Sequence, residues 1–244
     1  MTHTSPPEPP PSVAAGPAAA RNNPLVEILI TIIVPAVILM QLSSESRLGV
    51  VGALLLALSF PIGWGLRDAV IKRKLNWLAV LGIVSTLLTG GIGLLKLDPQ
   101  WLAVKEAAVP GLIGLAVLGS NWTRWPLIRI LVFNPQLFDV EKVNRALQER
   151  RTTVPFELRL RTGTLLLAGT FFFSSVMNYV LARWIVTSQA GTEAFNQELG
   201  RLTLMSYPLI ALPSMAMMIG LMFWLASGLR RLTGLQLTEM LRSS

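Results

Sequence analysis

The chain has 244 residues, 52% hydrophobic and only 14% charged, with a mean hydropathy of +0.56 and a formal net charge of +8. A soluble domain carries about 25% charged residues, so the composition points to a bilayer as solvent and away from an ordinary water-soluble fold. There is no cysteine and one histidine, His3, which excludes disulfides and thiolate metal sites and leaves nothing for a His-based metal centre or a Ser-His triad; no metal or cofactor is expected.

In chain order, residues 1–23 are rich in Pro, Ala and Ser and are expected to form a disordered tail; they lack the basic start of a cleaved signal peptide. Six apolar runs follow, at 24–42, 48–66, 75–95, 101–122, 163–184 and 203–227. Each has the roughly 20 residues that a helix needs to cross a hydrocarbon core. The runs are continuous rather than alternating, which excludes an outer-membrane barrel. The expected fold is all-α, a polytopic bundle of six transmembrane helices. Glu27, near the start of the first run, suits a helix N-terminus.

Four of the six runs contain proline: Pro35, Pro61, Pro110, and Pro208 with Pro213. Bends there either serve packing or line a cavity. Gly82, Thr86 and Gly90 in the third run, and Ala107 and Gly111 in the fourth, are small residues at intervals of four. They predict that these two helices pack as a tight antiparallel hairpin.

The fourth run opens with LDPQWLAVKEA at 97–107. Asp98 and Pro99 make a helix start, Trp101 an interfacial anchor, and Lys105 a cation able to snorkel outward past it. A Lys105–Glu106 pair inside a span also suggests a ligand or partner site. Both readings stay open.

Segment 134–154 is too polar to span. With Asn134 as cap, Pro135 in the first turn, and Leu137, Val140, Val143 and Leu147 on one stripe, it predicts an amphipathic helix. Lys142, Arg145, Arg150 and Arg151 would meet anionic phospholipid headgroups if it lies on the membrane; packing on the bundle is the other reading. Asn178, in the fifth run, needs a partner and is expected to bond between helices. Residues 229–244 form a short amphipathic tail with Gly234 as its weak point.

Basic residues set the orientation. Arg21, the cluster from Arg67 to Lys74, the eight from Arg124 to Arg161, and Arg230, Arg231 and Arg242 all fall on the side of the termini, 16 of 21 in total. Both termini are therefore expected in the cytoplasm, with segment 185–202 outside. The same rule accounts for the basic charge without nucleic acid.

DPQWLAVK at 98–105 resembles a pattern of bacterial intracellular septation protein A and its relatives: Asp-Pro, an aromatic three after the Asp, and Lys seven after it. Gly119, Ser120 and Asn121 stand where that family has a Gly-Ser-Gln ending, and GWGLRDAVIKRK at 63–74 fits in the same order. The resemblance covers about residues 26 to 121; the rest is closer to related uncharacterised six-span proteins. It implies an inner-membrane protein of envelope biogenesis or septation, without an established reaction, in which Asp98 and Lys105 would be the residues that matter. Glu106 departs from the family's usual proline and would neutralise Lys105.

The functional expectation is a non-enzymatic scaffold binding envelope or division proteins. The alternative is a small-molecule, ion or lipid transporter using the kinked helices and the Asp98, Lys105 and Glu106 cluster. No SxxK, HExxH or nucleotide-binding motif argues for an enzyme. Homo-oligomerisation is left open.

Overall fold

The structure, a computed structural model, describes residues 26, 28–72, 77–123, 127–132 and 138–240. The tail 1–23, Glu27, and the expected cap Asn134 with Pro135 lie outside the described residues. The described chain is helical: α1 (Leu29–Gln41), α2 (Gly49–Lys72), α3 (Trp77–Leu94), α4 (Gln100–Ser120), α5 (Leu127–Val132), α6 (Val140–Glu149), α7 (Thr153–Ile185), α8 (Glu193–Thr233) and α9 (Leu237–Met240).

Among the described residues, four helices are long and apolar enough to cross a membrane: Gly49–Arg67 of α2, then α4, α7 and α8. Leu29–Gln41 and Val80–Leu94 are shorter apolar stretches. Only 17% to 28% of the residues in the four apolar windows are buried inside the protein. Many of the others are exposed apolar side chains, including Leu112, Val176 and Phe223. A water-soluble monomer does not expose apolar surface on that scale. Trp101 and Trp184 stand exposed at one end of the helices and Trp122 at the other, as aromatic side chains do at membrane interfaces.

Helices α7 and α8 begin ten residues before the apolar runs that announced them, at Thr153 and Glu193. Hydropathy marks only the part of a helix that needs lipid, and the extra turns carry Glu157, Arg159, Glu193 and Glu198. The connection expected to occupy 185–202 shrinks to 186–192. Glu198 braces it, accepting from the backbone N–H groups of Thr187 and Ser188 at 3.0 and 2.9 Å and from both hydroxyls.

The large helices stand in a ring, in the order α3, α2, α1, α8, α7, α4. α4 lies along α7, where Gly114 admits Phe171 and Phe172 and the Ser175 hydroxyl donates to the Ala107 carbonyl at 2.8 Å. α1 lies against α8, where Gly200 faces the Ala36 backbone. The seam between α3 and α4 is the most sparsely packed of the ring.

This corrects the small-residue hairpin. Gly90 faces Leu58 of α2, and Gly111 faces Ser175 of α7. Thr86 donates to its own helix at Gly82 O, and a Cβ on Gly82 would meet no described atom within 4 Å. Spacing identified Gly90 and Gly111 as close-approach residues but not their partners, and it overstated Gly82 and Thr86.

Two apolar cores close the ring. The first lies at the end holding the α1–α2, α3–α4 and α7–α8 connections, and takes Leu39, Leu54, Ile92, Leu102, Leu181 and Phe195 from six helices. Asn196, fully buried there, donates to the Ser43 hydroxyl at 3.0 Å and to Val50 O at 2.9 Å. These bonds fasten α8 to the α1–α2 turn. Hydrogen bonds between membrane helices contribute about 0.6 kcal/mol each, up to about 1.7. Asn196→Leu is expected to lower stability by about 1–2 kcal/mol, read by chemical unfolding of the purified protein; an unchanged midpoint would remove the bracing role.

The second core, at the other end, gathers Ile128, Val143, Leu147, Phe156, Leu160, Leu229 and Met240. Helix α6 begins at Val140, later than the expected Asn134 start. Asp139 caps it, accepting from the Lys142 backbone N–H at 3.0 Å. Its apolar stripe packs inward, with Val143 at 0% and Leu147 at 2% exposure, so the described part rests on the bundle. Lys142, Arg145, Arg150 and Arg151 stay exposed. Helix α8 ends where Gly234 turns left-handed (φ 70°) and its N–H bonds back to Arg230 O at 2.8 Å.

Candidate functional site

Inside the ring lies a partly open cavity of about 510 Å³, within the range of small-molecule sites. All six large helices line it: Pro35 from α1, Pro61 from α2, Ser85 and Thr89 from α3, Lys105 and Glu106 from α4, Asn178 from α7, and Thr203, Ser206, Tyr207 and Ser214 from α8. Two of its walls depart from α-helical winding. Residues Leu29–Ile33 and Tyr207–Ala211 are π-helical turns, each next to a proline that cannot donate to the preceding turn. Pro35 of α1 and Pro61 of α2 thus border a cavity rather than only bending the chain, and Pro208 belongs to the π turn of α8 that lines it.

Lys105 is the centre of the polar wall. It does not snorkel outward past Trp101. Its Nζ donates to the Thr89 hydroxyl at 2.7 Å and the Ser85 hydroxyl at 3.2 Å, lies 3.4 Å from Ser85 O, and pairs with Glu106 Oε1 at 2.6 Å. Its side chain is 9% exposed and that of Glu106 31%. Neighbours in a helix do not normally face each other; here the lysine stem reaches α3 while its ammonium turns back to the carboxylate. Outward snorkelling would have required leaving both α3 hydroxyls behind.

Three of the hydroxyls offer the cavity acceptor oxygens. Thr86, Thr203 and Ser206 each donate to the carbonyl four residues back, at 2.9, 2.9 and 2.7 Å. That pattern hides a donor inside a membrane helix and leaves lone pairs facing out. Asn178 behaves similarly. Its amide donates to Ser174 O at 2.8 Å within α7, not between helices as expected. Ser214 Oγ is buried with no partner among the described residues.

The structure therefore brings together Lys105, Glu106 and Asn178 and leaves Asp98 and Trp101 outside. Asp98 is exposed and accepts from the Gln100 N–H at 2.8 Å, which starts α4. Trp101 is 54% exposed at the edge of a second space, an apolar cleft of about 580 Å³ between α3 and α4. A narrower crevice of about 380 Å³ runs from Glu106 and Asn178 towards Pro110.

Sequence reasoning passed over Ser85, Thr89, Thr203, Ser206 and Ser214. A signal was present: hydroxyls at 85 and 89, and polar groups at 203, 206, 207 and 214, fall on single helix faces within apolar runs. No protein-family model, curated protein or solved structure matches the chain. The build is that of an integral membrane protein with a polar cavity inside its helical ring.

Proposed function

We propose that this chain is an inner-membrane protein that crosses the bilayer six times and binds a donor-rich polar group, a hydroxyl- or amine-bearing solute, in its central cavity. Supporting six crossings, the apolar sequence continues beyond the described part of α1 and through α3. Supporting cytoplasmic termini, the basic residues divide 16 to 5. Helix α6 then lies at the cytoplasmic face, with Lys142, Arg145, Arg150 and Arg151 available to anionic headgroups.

The observation that carries the binding reading is the Lys105–Glu106 pair facing a hydroxyl-lined space within helices whose outer faces are apolar. Polar groups at membrane depth are costly unless satisfied, and a bundle that binds nothing is more stable with that volume packed. Glu106 and the hydroxyl oxygens accept hydrogen bonds, so the complementary ligand donates them. A scaffold for envelope or division proteins, the role the Asp98–Lys105 resemblance implies, would act through the outer surface and leave the cavity without a task. Transport of the bound group is the natural extension, because π turns of α1 and α8 and the prolines Pro35 and Pro61 border the site.

The cysteine-free sequence makes the test clean. Ser214→Cys and Thr203→Cys are expected to react with the small cationic reagent 2-aminoethyl methanethiosulfonate about tenfold faster than Phe223→Cys, on the lipid-facing surface. Equal, slow reaction at all three positions would mean a dry, closed cavity and would end this reading.

A further inference from the structure

The central cavity and the α3–α4 cleft share a wall. Ser85 and Lys105 line both. The other cleft residues are apolar, among them Val84, Leu88, Val104 and Leu112, all exposed. On α4 they follow one face from Trp101 to Ala116, a run of about 22 Å at 1.5 Å per residue; on α3 the face from Leu81 to Ile92 is about 16 Å long. One leaflet of hydrocarbon is about 15 Å deep, half of roughly 30 Å. The ring is therefore open at one seam. That seam faces the acyl layer, is as long as an acyl chain's layer is deep, and ends inward on the polar wall.

From this arrangement we infer that the ligand of the central cavity is a membrane lipid, entering sideways between α3 and α4, with one acyl chain in the cleft and its donor-bearing polar group against Glu106 and the hydroxyls. The inference rests on the binding reading above and names its substrate class. The chemistry supports an amphiphile over a water-soluble solute. A purely polar ligand would leave the cleft unfilled. A purely apolar one would leave the acceptors of the cavity unmet. Lys105 sits where the two parts of an amphiphile join, its stem on the apolar side and its ammonium on the polar side. Small side chains at Ala108 and Ala116 keep the α4 face open.

The test uses the full chain in liposomes with a lysophosphatidylethanolamine carrying a diazirine in its single acyl chain. This probe has ammonium and hydroxyl donors on its head. Illumination followed by peptide mass spectrometry is expected to label 84–88 and 104–112 about tenfold more than the lipid-facing stretch around Phe223. Unlabelled lysolipid should compete, and a fatty-acid methyl ester of equal chain length, which lacks donors, should not. Ala108→Trp, which fills the cleft, and Glu106→Gln, which alters the polar end, should each reduce cleft labelling several-fold.

Uniform labelling of all lipid-facing surfaces would overturn the inference. So would equal competition by the methyl ester, or links from 84–112 to a second copy of the chain. If Ser214→Cys and Thr203→Cys still react rapidly in that case, the cavity remains a site for a water-soluble group and only the lipid assignment is lost. If they do not, both readings fall.

Discussion

Replacing Glu106 by Gln is expected to destabilise the purified protein by about 3 kcal/mol, and adding Lys105→Met to it should restore most of that loss. Breaking a buried ion pair by removing one partner costs about 3–5 kcal/mol, because the other charge stays desolvated. The low end applies here, since Glu106 is 31% exposed to the cavity. Without the carboxylate, the Lys105 ammonium keeps only the oxygens of Ser85 and Thr89. Removing both charges removes the desolvation cost with them. Unfolding of the two single variants and the double variant forms a cycle that isolates the pair. Strict additivity would show that Lys105 and Glu106 act independently and that the pair is no unit of the site.

The second large effect is expected at Gly200. A Cβ there would lie 2.7 Å from the Ala36 backbone oxygen and 2.7 Å from Met40 Cγ. The methionine can yield, but the Ala36 carbonyl belongs to α1 itself, so the helices must separate. Gly200→Val should cost about 1–3 kcal/mol, the range for overpacking a well-filled contact. Gly82→Val, where an added Cβ meets no described atom within 4 Å, should stay within about 0.5 kcal/mol of the parent. Denaturant midpoints of the two variants decide the matter. The reverse order would reinstate the α3–α4 hairpin and displace the α1–α8 contact.

That contrast shows what a sequence can reveal of such a protein. Apolar runs of about 20 residues report a bilayer, because the hydrophobic requirement is local and cumulative. The turn at Asp98 that leads into α4 was legible for the same reason, since its carboxylate bonds to the N–H of Gln100, two residues on. The partner of a glycine is not local. Gly90 and Gly111 advertise close approach equally well to any neighbour, and only the assembled ring assigns Leu58 to one and Ser175 to the other. Lys105 was visible as a charge inside a span. Its direction was not, because the hydroxyls that draw it inward stand at Ser85 and Thr89 on the preceding helix. Asn196 was missed for a further reason. It lies before the apolar window of the last span, in a turn that hydropathy assigns to a loop.

The pairing of α1 with α8 has a consequence for biogenesis. The two are far apart in the chain, 153 residues between Ser43 and Asn196, yet neighbours in the fold, with Gly200 against Ala36 and Asn196 bonded to Ser43 and Val50. Synthesis runs from α1 towards α8, so the inner face of α1 stays uncovered until the chain past Gly200 has been made. Until then Ser43 and the Val50 carbonyl lack the Asn196 amide, and the wall that carries Thr203, Ser206 and Ser214 does not exist. Contacts this distant along a chain form late and leave partly assembled intermediates exposed. A nascent chain halted before residue 193 would therefore lack one wall of the cavity, which is completed only when α8 joins α1.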